Sequence, residues 1–270
     1  MSGLAETLKQ GPARLNTSRK NVVTLDIERL PGRFSADFWD LNAFKGRRIH
    51  PEMVTEWPRT ICVAWRWYGT KRTEFASEWG DGRDEMLRRV WEVYDRADVI
   101  YGHNVARFDS KKLNTEWRDL GWMPPSPYKT LDTLSESRKV FGDESFTLAA
   151  LTERCGIATK TDKYSVEMAR AAVAGDAGAQ RRLKSYNVGD IEASEQFVDR
   201  LRGWLPSHPH DLVGRPDDRP ICNQCWQDTL EPNGVKLANL ITYRLFRCTS
   251  CGANVQGTRH SRAATTRGAR

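Results

Sequence analysis

The stretch "VVTLDIERLPGRF", residues 22–34, carries the reading of the fold. β-Favouring residues from Val22 to Leu25 run straight into Asp26, and Glu28 follows two positions later. Side chains at i and i+2 project from the same face of a strand. Asp26 and Glu28 therefore stand side by side and repel each other unless a cation lies between them. Two solvated acids at a strand end make the same pattern, so acids elsewhere in the chain decide between the two readings.

Downstream the chain alternates strands and helices. "TICVAWRWYG" (60–69) reads as a strand, with "RTEFASEW" (72–79) as its hairpin partner. "GRDEMLRRVWEVYDRA" (82–97) sets Met86, Leu87, Val90, Trp91 and Tyr94 at helical spacing. "DVIYGHN" (98–104) is a short strand ending in a turn. "RFDSKKLNTEWRDLG" (107–121) is a helix stopped at Gly121, and "YKTLDTL" (128–134) is another short strand. Residues 134–204 are largely helical, with breaks at 156–162 and 175–178. Residues 29–59, with Pro31, Gly32, Gly46, Pro51 and Pro58, read as loop. This order is that of one α/β domain over residues 21–204. Residues 1–20 are polar and aperiodic, a flexible arm. A Pro-rich linker is expected at 205–219, a small module at 220–256 and a basic tail at 257–270.

With 39% hydrophobic and 29% charged residues in 270, the composition is that of an ordinary soluble protein. No apolar run reaches about 18 residues, so no membrane span is expected. The first twenty residues lack the apolar core of a secretory signal, so a cytoplasmic location is expected. A net charge of +7 favours a polyanionic partner. Residues 206–270 hold nine of the basic and five of the acidic side chains, and residues 252–270 carry Arg259, Arg262, Arg267 and Arg270 with no acid.

Two further acidic positions match the first pair. In "GHNVARFDSKKL" (102–113), Asp109 follows a strand and opens a helix. A helix N-terminus favours an Asp with or without a catalytic purpose. In "SYNVGDIEAS" (185–194), Tyr186 and Asp190 are four apart and share a helix face. Most of the ten Trp are expected in the core, among them Trp65 and Trp67 on one strand face and Trp91, Trp117 and Trp204 on buried helix faces. Trp39, Trp57 and Trp79 fall in or beside loops, where an indole is able to stack on a base.

Six cysteines are present. Cys62 and Cys155 lie in apolar sequence and read as buried thiols. Cys222, Cys225, Cys248 and Cys251 form two C-x2-C pairs separated by 22 residues, which reads as a four-thiolate Zn²⁺ site rather than as disulfides. "KLANLITYRLFRC" (236–248) between the pairs has the strand character a zinc ribbon needs.

Together, Asp26-x-Glu28, Asn104-x3-Phe108-Asp109 and Tyr186-x3-Asp190 resemble the three motifs of the DEDDy 3'→5' exonucleases, DnaQ-like members of the ribonuclease H-like superfamily. The likeness is to the proofreading domains of family B DNA polymerases and their stand-alone relatives, many of them phage-encoded. It runs over about residues 21–203 and includes "YKTLDTLSESRKVF" and "SFTLAALTERCGIATK". It implies a central mixed sheet flanked by helices and a metal-dependent 3'→5' exonuclease of DNA replication, repair or recombination. The substrate is expected to be a single-stranded DNA 3' end, with RNA as the alternative. A separate polymerase or replication protein is an expected partner, and no membrane is.

By the same resemblance, Asp26, Glu28, Asp109 and Asp190 hold two Mg²⁺ or Mn²⁺ ions about 3.5–4 Å apart. Asp26 bridges both ions, Glu28 and Asp190 complete the first, and Asp109 holds the second. Tyr186 orients the attacking water. Asn104 and Phe108 contact the terminal nucleotide, and His103 either joins them or is a turn residue. Apart from the resemblance, Lys160 or Lys163 is placed to meet a phosphate or is simply solvated. The chain departs from the family in having no polymerase module, a long connection at 29–59 and the added cysteine module. A nucleic-acid adaptor with a silent nuclease site and a related endonuclease are the other readings. The complete set of acids with Tyr186 speaks against the adaptor, and Tyr186-x3-Asp190 against the endonuclease.

Overall fold

In a computed structural model of the chain, the described residues are 21–38, 40, 48–157, 163–201, 204–205, 222, 227–238, 241–250 and 252–262. They divide into two compact units, Asn21–Phe197 and Val198–Arg270. The expected arm at 1–20, nearly all of the linker at 205–219, and Trp39, Lys160, Cys225, Cys251, Arg267 and Arg270 lie outside them.

The quoted stretch forms β1 (Val22–Leu30), the middle strand of a five-stranded sheet. A minor pair, β2 (Arg33–Phe34) and β3 (Val54–Glu56), occupies part of the expected loop, together with a 3-10 turn at Pro51–Met53. β4 (Arg59–Trp67) and β5 (Glu74–Ser77) are the expected hairpin. β6 (Val99–Gly102) and β7 (Lys129–Asp132) complete the sheet in the order β5-β4-β1-β6-β7. β1 runs antiparallel to β4 and parallel to β6, and β6 runs parallel to β7, so the sheet is mixed. Its order and directions are compatible with the ribonuclease H-like fold.

The helices are α1 (Arg83–Arg96), α2 (Asp109–Asp119), α3 (Thr133–Val140), α4 (Leu148–Arg154), α5 (Val166–Val173) and α6 (Ala177–Leu201). Alternation along β1 divides the core in two. Val23, Leu25 and Ile27 pack with Met86, Leu87, Val90, Trp91 and Tyr94 of α1 and Leu113 and Trp117 of α2. Leu30, Ile61 and Cys62 pack with Met168, Ala169 and Ala172 of α5 and Ala179 and Leu183 of α6. Helices thus cover both faces, as parallel strands require. The buried aromatics keep their polar tips satisfied. Trp91 donates to the Met123 carbonyl, Trp117 donates to that of Leu87, and the Tyr94 and Ser110 hydroxyls share a hydrogen bond.

Three differences from the sequence reading concern helix ends and tryptophans. Residues 141–147 break the expected helix, because α3 ends at Val140 and Thr147 caps α4 by accepting the Ala150 N–H. Trp204 lies beyond the last residue of α6 and is 59% exposed rather than buried. Trp79 packs on Phe75 within the core on the α5–α6 face, whereas Trp57 is 64% exposed.

The second unit contains a three-stranded antiparallel sheet in the order β10-β9-β8, from β8 (Leu230–Ala238), β9 (Ile241–Cys248) and β10 (Asn254–Arg262). β10 extends past residue 256, where the module was expected to end, into the expected basic tail. Among the described residues no helix is long and apolar enough to cross a membrane.

Candidate active site

Alternation places Thr24, Asp26 and Glu28 on the sheet face opposite Leu25 and Ile27. Helix α6 supplies the third acid to that face. One carboxylate oxygen each from Asp26, Glu28 and Asp190 falls within 4.8 Å of the others, and all three residues are half-buried. A register shift between β1 and β4 falls directly after Glu28, where Glu28 opposes Cys62 and Arg29 opposes Thr60. The shift is anchored from below. Glu116 of α2 accepts hydrogen bonds from Arg29 at 2.8 Å, from the Thr60 N–H and hydroxyl at 2.9 Å, and from Arg83 at 2.9 Å. α6 is itself tied to the sheet, since Arg66 of β4 pairs with Glu192 at 2.8 Å and Glu195 at 3.0 Å.

Asp109 opens α2 and is 2% exposed. Its Oδ1 accepts the N–H of Ile27, the residue between Asp26 and Glu28, at 3.1 Å. That bond joins the second motif to the first. Burial pushes the Asp109 carboxyl up to about 7, partly offset by the N–H bonds it accepts. Tyr186 lies one turn before Asp190 and hydrogen-bonds to it. Burial first, then the Asp190, Glu28 and Asp26 carboxylates, push the Tyr186 hydroxyl pKa upward, so the group keeps its proton at neutral pH.

The loop after β6 presents the remaining predicted residues. Gly102 is required there, because a Cβ would lie 2.7 Å from that of Val105 and 2.9 Å from the Leu25 carbonyl oxygen. Asn104 takes φ 64°, the single positive value at a non-glycine among the described residues. Asn tolerates this left-handed conformation better than most side chains. Phe108 is 40% exposed at the N-terminus of α2. His103 is engaged within the fold. Its Nδ1 pairs with the Thr133 hydroxyl at 3.0 Å, and its Nε2 donates to the Phe146 carbonyl at 2.9 Å. A nucleotide reaching this ring would meet its carbon edge or displace one of those bonds. Lys163 is exposed.

Two residues at the site lack any signature in the sequence reading. Asn187 donates to Asp26, and Asp132 gathers backbone N–H groups from both the Asn104 loop and the start of α3. Asn187 follows Tyr186 in the chain and Asp132 lies in the stretch 128–141, but their partners are 161 and 28 positions away.

In the second unit Cys222 and Cys248 are buried, and their backbone N–H groups make matching hydrogen bonds. The Cys222 N–H donates to the Gln227 carbonyl at 3.0 Å, and the Cys248 N–H donates to that of Ala253 at 2.9 Å.

No protein-family model matches the sequence, and no curated protein does. Among solved structures, the chain is similar to the family B DNA polymerase from the hyperthermophilic archaeon Pyrobaculum calidifontis, with a TM-score of 0.49 and 16% identity. The match covers 68% of this chain and 25% of the polymerase, so the chain spans a quarter of that protein's length.

Proposed function

We propose that the chain is a metal-dependent 3'→5' exonuclease acting on DNA 3' ends, single-stranded by preference. The observation that carries this reading is the convergence of Asp26, Glu28 and Asp190 from two elements into one group, with Asp109 bonded to the backbone between the first two. Three half-buried carboxylates so close are mutually repulsive, and their oxygen-only donor set suits a hard divalent cation. Asp109 fits the same role, since a buried carboxyl lifted to about 7 returns to its ionised form when a positive charge comes beside it.

In this reading Asp26, Glu28, Asp109 and Asp190 hold two Mg²⁺ or Mn²⁺ ions. Bound there, the ions lower the pKa of the attacking water and neutralise charge on the phosphate and leaving oxygen. The Tyr186 hydroxyl, protonated and fixed by Asp190, orients the water rather than removing its proton. The Asn104 side chain and the exposed Phe108 ring hold the terminal nucleotide, Phe108 by stacking. The motif set with Tyr186 favours exonuclease over endonuclease chemistry.

Cys222, Cys225, Cys248 and Cys251 hold one structural Zn²⁺ in this proposal, supported by the spacing and by the matching backbone hydrogen bonds at the first cysteine of each pair. The ribbon and the basic residues after it bind the phosphate backbone of longer substrates.

The deciding experiment is a time course on 3'-labelled and 5'-labelled oligonucleotides, matched as DNA and RNA, with Mg²⁺, Mn²⁺ or EDTA. Stepwise shortening from the 3' end of DNA is expected, abolished by EDTA and by Asp26→Ala or Asp190→Ala while both variants stay folded. Preferential RNA degradation moves the substrate to RNA. Full activity of either variant removes the site, and cleavage of circular single strands makes the enzyme an endonuclease.

A further inference from the structure

Asn187 lies in α6 between Tyr186 and Asp190 and has no exposed surface. Its Nδ2 donates to the Asp26 carboxylate Oδ2 at 2.6 Å and to the Asp26 backbone carbonyl at 3.2 Å. Its own Oδ1 is buried and has no hydrogen-bond partner among the described residues. Chemistry fixes this orientation, because turning the amide over would press Oδ1 against two oxygens of Asp26. The fold therefore leaves one buried acceptor unmatched in order to keep a donor on Asp26. Packing alone does not call for that, since leucine is of similar size and leaves no polar atom behind.

We propose that Asn187 is a positioning residue for the Asp26–Glu28–Asp190 group: its amide ties the Asp26 carboxylate to the backbone of β1, so that a divalent cation meets a ligand already set in orientation. The inference rests on the metal reading of that group. Asp26 is repelled by Glu28 and Asp190 until a cation arrives, and a side chain free to rotate would swing away from them. A neutral amide opposes that rotation without competing for the site, as a lysine would by supplying the positive charge itself. Hydrogen-bond partners of metal ligands act in this way in other metal sites.

The test is Mn²⁺ binding by the full-length chain, followed by electron paramagnetic resonance of the unbound ion, for wild type, Asn187→Leu and Asn187→Ser. Thermal unfolding in EDTA accompanies it. Both variants are expected to bind Mn²⁺ about 10–100-fold more weakly. Unfolding in EDTA reports on the fold apart from the metal, since Asn187→Leu removes both the unmatched oxygen and the amide's two bonds to Asp26. Exonuclease activity of the variants should recover as Mn²⁺ is raised. Asn187→Ser, the smaller change, serves if the leucine variant does not fold. A folded variant that binds Mn²⁺ as tightly as wild type overturns the inference and leaves the proposed function standing. A wild-type chain that binds no Mn²⁺ overturns both.

Discussion

Asp132 holds Asn104 in its left-handed conformation: the carboxylate Oδ1 accepts the Asn104 backbone N–H at 3.1 Å. The same carboxylate accepts from Ala106 at 3.2 Å, and it caps α3 through Leu134 at 3.1 Å and Ser135 at 3.2 Å. One 7%-exposed side chain thus ties the loop that leads to Asp109 to the end of β7. Asp132→Ala strands four backbone donors at once. It should cost about 2–4 kcal/mol in urea unfolding. In the variant that still folds, KM for a short oligonucleotide should rise more than kcat falls, because Asn104 is the group released. A loss below about 0.5 kcal/mol would show that water replaces the carboxylate at that loop.

Tyr186 and Asp190 offer a cleaner separation of roles. The hydroxyl is held protonated by burial and by the carboxylates around it, so it donates a hydrogen bond and does not serve as a base. Tyr186→Phe keeps the ring and its packing. Its kcat should fall by about 10²–10³-fold, the range typical of losing one pre-positioned hydrogen-bond donor. Mn²⁺ affinity should hold, in contrast to Asp190→Ala. Wild-type kcat in the phenylalanine variant would remove the water-orienting role.

His103 yields a pH prediction. Burial holds its pKa below the ordinary histidine value, against the Phe146 carbonyl and the Asp132 and Asp190 carboxylates, which raise it. The folded state therefore prefers the neutral ring. Above the unfolded pKa of about 6.5 both states are neutral and the ring's contribution is complete. As the pH falls below that value the unfolded chain takes up the proton first, and stability is lost until the pH has passed through the lowered folded pKa. The stability advantage of wild type over His103→Gln should accordingly be larger at pH 8 than at pH 5.5, by urea unfolding at both. A pH-independent difference would mean that the ring does not change its protonation on folding.

What the sequence disclosed followed from periodicity and local chemistry. Asp26 and Glu28 were legible because a strand repeats every two residues, and Tyr186 with Asp190 because a helix repeats every 3.6. The five main strands and α1 were legible for the same reason. The break at 141–147 was not, although Gly142 lies within it, because the capping role of Thr147 depends on where α3 stops. Asn187 and Asp132 were illegible for a deeper reason. A buried Asn in a helix and an Asp before one are common, and their meaning here comes from Asp26 and Asn104, which only the folded sheet brings within reach. Trp204 was misread because helical periodicity was carried past Leu201, where the helix has ended.

The cysteine module supplies the last prediction. The N–H groups of Cys222 and Cys248 each donate to the carbonyl five residues on, and two C-x2-C pairs are the spacing of a tetrahedral four-thiolate Zn²⁺ site. Purified protein should carry one Zn²⁺ per chain. Mild EDTA that stops the nuclease should leave it bound, because thiolates hold zinc far more firmly than carboxylates hold Mg²⁺. Truncation after Leu205 should give a chain that still cleaves short oligonucleotides. Long substrates should bind it more weakly, and log affinity should fall less steeply with log salt. The removed segment carries Arg259, Arg262, Arg267 and Arg270, and each cation that meets a phosphate releases a counterion. Loss of four such contacts lowers the slope by about 3–4 on double-stranded ends and slightly less on single strands. A zinc-free chain would remove the ribbon. A zinc-bearing chain whose salt slope is unaffected by truncation would instead leave the module a protein-binding or purely stabilising role.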